Sequence, residues 1–163
     1  MIWLLFLLPI WADPSTDGIP NEECAEETPI TNTTEQTGQQ LYQANCQNCH
    51  QADGSGIIRI YPPLTNSEWV QANPKVLAHI VLRGLSGKIY VGGDRYASYM
   101  SAYGKELSDK ELQTLIHYIQ MEFGYPTEKE KVILLDENDI ATIRASQQKR
   151  IKGMEGLEAI SKE

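Results

Sequence analysis

The sequence predicts an all-α domain with one small β-hairpin, and three observations support this fold class. Apolar residues recur at helical spacing behind two helix-start signals, Asn73-Pro74 and the capping box Ser108-Asp-Lys-Glu111. Only the run 87–96, with two β-prone segments around Gly92-Gly93, indicates a hairpin. With 163 residues, of which 41% are hydrophobic, the chain suits one globular domain plus extensions.

Charge is distributed unevenly along the chain, whose formal net charge is −8 at pH 7. Residues 13–36 contain seven acids and no lysine or arginine, whereas residues 37–125 contain seven charges of each sign. The acidity therefore belongs to a linker, and it does not indicate an acidic docking face on the folded domain. No region is basic enough to indicate nucleic-acid binding.

The N-terminal residues 1–12 are apolar and uncharged, and they are too few to span a bilayer as a helix. They match the apolar part of a secretory signal peptide, with Ala12 as the last residue before cleavage. An uncleaved weak anchor is the alternative, because no Lys or Arg precedes the apolar run. Residues 13–34 are predicted to be an acidic disordered linker. Export is expected, most simply to the periplasm of a Gram-negative bacterium.

A first helix is predicted to begin near Thr34 or Glu35 and to end at Cys46-Gln47-Asn48-Cys49-His50, a C-x-x-C-H motif. This motif is the attachment signature of a c-type haem. Residues three and four positions apart share one face of a helical turn. Two thiols can therefore bond to the haem vinyl groups while the adjacent imidazole reaches the iron.

Two other uses of the Cys46 and Cys49 pair agree less well with the sequence. A thioredoxin-like redox pair needs a βαβ setting, and no parallel-strand pattern surrounds the motif. A structural zinc site takes four Cys or His ligands, and the remaining cysteine, Cys24, stands in an acidic stretch without a second C-x-x-C. Cys24 is predicted to be a free thiol, with an intermolecular link as the alternative.

The segment after the motif is predicted to be a loop, Asp53-Gly-Ser-Gly56, followed by the extended run Tyr61-Pro-Pro-Leu64. Proline has no N–H, so this run leaves backbone carbonyls without a neighbouring donor. The carbonyl of Pro62 could accept the second ring N–H of His50 and orient the imidazole. An ordinary rigid turn is the alternative.

Four elements follow: a short helical turn at 67–70, a helix at 74–84, the hairpin at 87–96 and a helix at 108–123. The helix at 74–84 has an apolar stripe made of Val76, Leu77, Ile80 and Val81. His79 lies away from this stripe and is predicted to face solvent rather than bind iron.

The last helix of the domain has an apolar stripe that leaves Met121 and His117 on its outer side. The chain has four methionines, and Met121 is excluded as the second iron ligand because it faces outward. Met1 lies in the predicted signal segment and Met154 in the C-terminal tail. Met100 stands in a loop between elements, in an apolar and tyrosine-rich setting, and is predicted to be the ligand.

The remaining residues, 126–163, are predicted to be a C-terminal extension of the domain formed by residues 35–125. A helix is expected from Asp136, carrying apolar residues at Ile140, Ile143 and Ile151. Their modest number predicts that the extension wraps the domain rather than forming a second one. A partner-binding arm is the alternative.

The motifs resemble those of the class I, monohaem cytochrome c family over about residues 34–125. The matching stretches are Gly38-x-x-x-Tyr42, Cys46-x-x-Cys49-His50, Pro62-x-Leu64, Met100-x-x-Tyr103-Gly104 and Leu107-Ser-Asp. The resemblance implies the cytochrome c fold, in which three main helices surround one covalently bound haem, here with a hairpin insertion and a C-terminal extension. It also implies that the helix of Gly38 crosses the last helix near Tyr118.

The resemblance further implies a role for each candidate site residue. Cys46 and Cys49 would attach haem c, and His50 and Met100 would be the proximal and distal iron ligands. The Pro62 carbonyl would hold His50, and Leu64 would pack on the haem. Ser101 stands where members of the family usually have proline, which implies a looser loop around the distal ligand.

The implied function is electron transfer by a single haem c, without catalytic residues. The stretch 61–100 resembles cytochromes that serve, or are fused to, periplasmic dehydrogenases and nitrite reductases, so a subunit of such an oxidoreductase is the alternative. The expected partners are redox proteins, with membrane association only if the N-terminal segment is uncleaved. The rival functions are a peroxidase or nitrite-reducing subunit, a gas-binding haem protein and a thiol oxidoreductase.

Overall fold

The computed structural model describes residues 35–71, 73–124, 134–146 and 149–162. The predicted signal segment, the predicted acidic linker and Cys24 lie outside these residues. In the described part of the chain, no helix is long and apolar enough to cross a membrane.

The helices are α1 Gly38–Asn45, α2 Gln47–His50, α3 Glu68–Gln71, α4 Pro74–Arg83, α5 Asp109–Ile119, α6 Glu137–Ala145 and α7 Gly153–Ile160. The strands are β1 Leu85–Ser86, β2 Ile89–Val91, β3 Asp94–Tyr96 and β4 Ile151–Lys152, and a π-helical turn, Gln120–Gly124, continues α5.

Helix α1 begins three or four residues later than the sequence predicted. The Thr37 hydroxyl accepts a hydrogen bond from the Gln40 N–H, and the Gln40 side chain accepts one from the Thr37 N–H. This reciprocal capping box satisfies donors that the first helical turn cannot pair, so the helix starts at Gly38 rather than near Glu35.

Helices α1 and α5 cross at Gly38, close to Tyr118 as predicted. A Cβ on Gly38 would overlap the Tyr118 Cβ and lie 2.8 Å from the Thr114 carbonyl oxygen. The glycine therefore allows close contact of two backbones. The aromatic rings of Tyr42, Tyr118 and Phe123 pack beside the crossing, with centroid distances of 5.1–6.0 Å.

Replacing Gly38 by alanine is expected to destabilise the folded protein by about 1–3 kcal/mol, because overpacking a helix contact forces the backbones apart. The better helix propensity of alanine, about 1 kcal/mol in a helix interior, offsets this only in part at a first-turn position. Guanidinium unfolding of the haem-loaded protein measures the change. Gln39→Ala, at an exposed position one residue along, is the control and should be close to neutral. Equal stability of both variants would contradict the close crossing.

Helix α4 begins at the predicted cap, where the Asn73 side chain accepts a hydrogen bond from the Lys75 N–H. The prediction that His79 faces solvent is wrong, because its exposed fraction is only 4%. Eight of the ten residues of α4 are buried. The helix contacts α3, α5, α6 and α7, so it lies in the interior and has no solvent-facing side at this position.

The predicted hairpin is confirmed and consists of β2 and β3, with Ile89 opposite Tyr96 and Val91 opposite Asp94. Gly92 and Gly93 both have positive φ and form its turn. A second, unpredicted pairing joins β1 to β4 in parallel, with Leu85 opposite Ile151.

The C-terminal extension packs against the domain in its described parts. Helix α6 begins beside Asp136, where a helix was predicted, and the Asp136 side chain caps it. Ile140 and Ile143 of that helix enter the same apolar cluster as α1 and α5. Ile151, however, is not in the helix; it lies in β4 and joins a second cluster with Leu157 of α7. The helix ends at Ala145 and Ser146 is extended, so the helical spacing does not continue to Ile151.

Candidate functional site

The C-x-x-C-H motif lies where α1 meets α2. Cys46 separates the two helices, and its carbonyl oxygen accepts hydrogen bonds from the Cys49 N–H at 3.1 Å and the His50 N–H at 2.9 Å. The motif is thus a single helical turn, as its spacing predicted. Both thiols are free, and His50 has an exposed fraction of 9%.

Two adjoining cavities begin at this turn. The inner one, of about 70 Å³, is lined almost entirely by apolar side chains, and the outer one, of about 250 Å³, includes both motif cysteines. The residues shared by both cavities are Cys46, His50, Pro62, Leu85, Ile89 and Met100. Inner-cavity residues come from both apolar clusters, for example Leu77 and Ile119 from the first and Ile80 and Leu157 from the second. The space therefore lies between the two halves of the core.

His50 is oriented by the loop that follows the motif. Its Nδ1 lies 2.9 Å from the Pro62 carbonyl oxygen. A carbonyl can only accept, so Nδ1 carries the proton and Nε2 is left with a lone pair. Gly56, at φ +65°, lets the backbone of Tyr61 and Pro62 come close, because a Cβ there would lie 2.6 Å from the Pro62 oxygen. The Gly56 N–H also donates to the His50 carbonyl, at 3.0 Å.

Leu64 lines the inner cavity beside the same loop. Its N–H donates to the Gly54 carbonyl oxygen at 2.7 Å, which ties the run after Pro62 back to the loop. The side chain is partly buried against the first apolar cluster. Leu64 thus presents an apolar surface to the cavity near His50.

Met100 lies in a loop, as the sequence predicted, and lines both cavities. It forms a single antiparallel bridge with Leu85 and packs against both apolar clusters. The other two methionines of the described residues are elsewhere. Met121 has an exposed fraction of 46%, and Met154 packs in the second cluster without lining either cavity.

Burial shifts the pKa values of two groups in the motif, the His50 imidazole and the Cys46 thiol. It lowers the pKa of the His50 imidazole below its usual value, and the hydrogen bond to Pro62 opposes this shift without cancelling it. Burial, with a further contribution from Cys49, raises the pKa of the Cys46 thiol to about 12. At neutral pH the imidazole is therefore neutral, which is the form that binds a metal.

Some residues of the cavity were not predicted from the sequence. Ile89 and Val91 of the hairpin line the inner cavity, and their alternate spacing would have shown that they share one face of a strand. Leu157 of α7 lines it too, and no local pattern points to this. Among the described residues, no group of three or more His, Cys, Asp or Glu side chains could hold a metal ion.

The comparisons with known proteins agree with this site. Residues 35–121 match the family model for cytochrome c. Cytochrome c-552 of Thermus thermophilus is 33% identical over 91 residues, which cover 53% of this chain and 68% of that protein. The fructose dehydrogenase cytochrome subunit of Gluconobacter japonicus is 30% identical over 119 residues, 68% of this chain and 23% of the relative. The cytochrome c subunit of the quinone alcohol dehydrogenase of Gluconacetobacter polyoxogenes is 30% identical over 96 residues, 57% and 20% of the two chains. The chain thus spans about two thirds of the first relative and about a fifth of the dehydrogenase subunits.

The residues of the site fit a covalently bound haem. Two free thiols lie at the wall of a largely apolar space, with the proton-free nitrogen of a buried imidazole beside them. An apolar macrocycle needs such a lining, and its attachment needs such a thiol pair. The confirmed expectations are haem c attached through Cys46 and Cys49, and the helical fold with its hairpin. By its family match and by the site it carries, the chain belongs to the cytochrome c family.

Proposed function

We propose that this protein is an electron carrier in which His50 and Met100 are the two axial ligands of one haem c. One observation carries the proposal: Cys46, Cys49, His50 and Met100 all line the same outer cavity. When bound, the haem iron supplies one-electron chemistry between its ferric and ferrous states. The chain contributes attachment, orientation and the exclusion of water.

Each residue has a distinct part in this proposal. The Pro62 carbonyl fixes the His50 tautomer, so that Nε2 is the nitrogen available to the metal. The Met100 thioether, which lines the same cavities as His50, would complete a His/Met pair and leave no site for substrate. Leu64 and the other apolar side chains of the inner cavity exclude water from around the metal.

The same residues favour a relatively high reduction potential. Ligation by Met and His raises the potential of a haem. The apolar lining also disfavours an additional positive charge in the cavity, because few dipoles are available to solvate it. Both effects stabilise the reduced state, which suits a carrier that accepts electrons from a dehydrogenase.

The names of the relatives support the choice of partners. Several are cytochrome subunits of dehydrogenases, so we propose that the partners are redox proteins and that one of them is an oxidoreductase of this kind. A haem-bearing subunit of such a complex remains the second candidate for this chain. Export to a periplasm, with residues 35–125 as the haem domain and 126–163 as its extension, is part of the same proposal.

Absorption spectra of the protein, expressed together with a haem-attachment system, test the function. We expect the sharp bands of a six-coordinate c-type haem after reduction, and the weak far-red iron–sulfur band of a His/Met site in the oxidised protein. Carbon monoxide should bind the reduced protein poorly, because both axial positions are filled. Rapid carbon monoxide binding by the native protein would instead support the gas-binding or enzymatic alternatives.

A further inference from the structure

The segment that carries Met100 has no local feature that holds it in place. Residues 97–103 contain neither helix nor strand, apart from the single bridge at Met100. They also contain no proline, the residue that would fix φ within the segment. The position of the thioether therefore depends on contacts with other parts of the chain.

The C-terminal extension supports the Met100 segment through β4, which pairs with β1. The Met100 N–H donates to the Leu85 carbonyl at 2.8 Å, and the Leu85 N–H donates to the Met100 carbonyl at 3.2 Å. On its other side, Leu85 is paired in parallel with Ile151, whose N–H donates to the Gly84 carbonyl at 3.2 Å. The backbone at Leu85 therefore lies between that of Met100 on one side and that of Ile151 on the other. Ile151 belongs to the extension.

Arg150 of the extension contacts the Met100 segment directly. Its Nη1 donates to the Met100 carbonyl oxygen at 2.6 Å, and its guanidinium carbon lies 4.2 Å from the centre of the Tyr99 ring. The approach depends on Gly84, at φ +70°, because a Cβ there would overlap Arg150 Nη1. A charged donor and a cation–π contact therefore hold two successive residues of the segment.

The extension also bonds to residues that follow this segment in the chain. Arg144 of α6 donates to the carbonyl oxygens of Gly104 and Leu107, the latter at 2.8 Å, and pairs with Asp109 at 2.6 Å. Arg83 of α4 in turn donates to the Ile143 carbonyl at 2.7 Å, at the end of α6. The extension is thereby bonded to the domain on both sides of the loop that follows Met100.

We propose that the C-terminal extension positions the distal ligand, with Arg150 as the positioning residue. Its guanidinium holds the Met100 backbone against Leu85 and so keeps the thioether directed into the cavity. This proposal rests on the proposed ligation of iron by Met100. It assigns the extension a role inside the molecule, in place of the partner-binding arm that the sequence left open.

The test compares Arg150→Gln with Lys149→Gln, which removes the same charge from the exposed neighbouring residue. In Arg150→Gln we expect a weaker far-red band and about tenfold tighter apparent binding of imidazole by the oxidised protein. A tenfold change corresponds to the loss of one charge-assisted hydrogen bond, which in the wild type opposes departure of the thioether from the iron. Hydrogen exchange should also be faster at the amides of Leu85 and Met100. Lys149→Gln should match the wild type in all three measurements.

Arg150→Lys is the second variant, in case Arg150→Gln does not fold. A lysine keeps the charge but lacks the planar guanidinium that reaches the carbonyl and covers the Tyr99 ring, so an intermediate imidazole affinity is expected. Wild-type spectra, imidazole affinity and amide exchange in the Arg150 variants would overturn the positioning role alone. A wild-type protein without the far-red band would instead contradict the ligation by Met100.

Discussion

The double variant Cys46→Ala/Cys49→Ala is expected to yield little folded protein. The inner cavity lies between the two apolar clusters, so without the attached haem apolar side chains of both clusters lose a packing surface. Residual cavities cost about 24 cal/mol per Å³. For the inner cavity, of about 70 Å³, this amounts to roughly 2 kcal/mol. That is already a substantial part of the whole stability of a domain, about 5–15 kcal/mol.

Circular dichroism and denaturant unfolding of the purified variant, together with its haem content, measure this effect. Cys24→Ala is the control, since it removes a thiol outside the motif and should leave both yield and haem content unchanged. A cooperatively unfolding domain without haem would show that the core is complete by itself. That result would contradict the role of haem in the core while leaving the family assignment intact.

Met100→Ala is expected to have the second largest effect, on the chemistry of the site rather than on its folding. Loss of the thioether should abolish the far-red band and let carbon monoxide bind the reduced protein. The reduction potential should fall by on the order of 0.1 V or more, since axial ligands tune haem over about 0.8 V. The cavity left by one flexible side chain should cost about 2–5 kcal/mol at most.

Met121→Ala is the matched control for this variant, because Met121 is half-exposed on the π-helical turn and lies outside both cavities. It should retain the far-red band, the potential and the resistance to carbon monoxide. A far-red band that persists in Met100→Ala would show that another sulfur is the ligand. Met154 would then be the next residue to test, since it packs in the second apolar cluster.

Local signals in the sequence were sufficient for much of the fold. The caps at Asn73, Ser108 and Asp136 each begin a helix as predicted, because a cap satisfies the backbone donors beside it and needs no distant residue. The start of α1 was misplaced, since Thr34 and Thr37 are both suitable caps and only the second has Gln three residues later.

Part of the candidate site was also predictable from local signals in the sequence. The spacing of the motif places its cysteines and His50 on one turn, and the apolar stripe of α5 directs Met121 outward, which left Met100 as the candidate ligand. The closure of the cavity was not predictable, because α7 packs against α4 and the hairpin although it lies far from both in the chain.

By itself, the sequence determined the attachment motif, the candidate ligands and the main helices, because each depends on residues within a few positions of one another. Only the tertiary structure decided that His79 is buried, that Ile151 belongs to a strand, and that Arg150 bonds to the Met100 carbonyl. These features arise where the C-terminal extension packs on the domain. Contacts between residues fifty or more positions apart depend on how whole elements pack, which periodicity and capping do not encode.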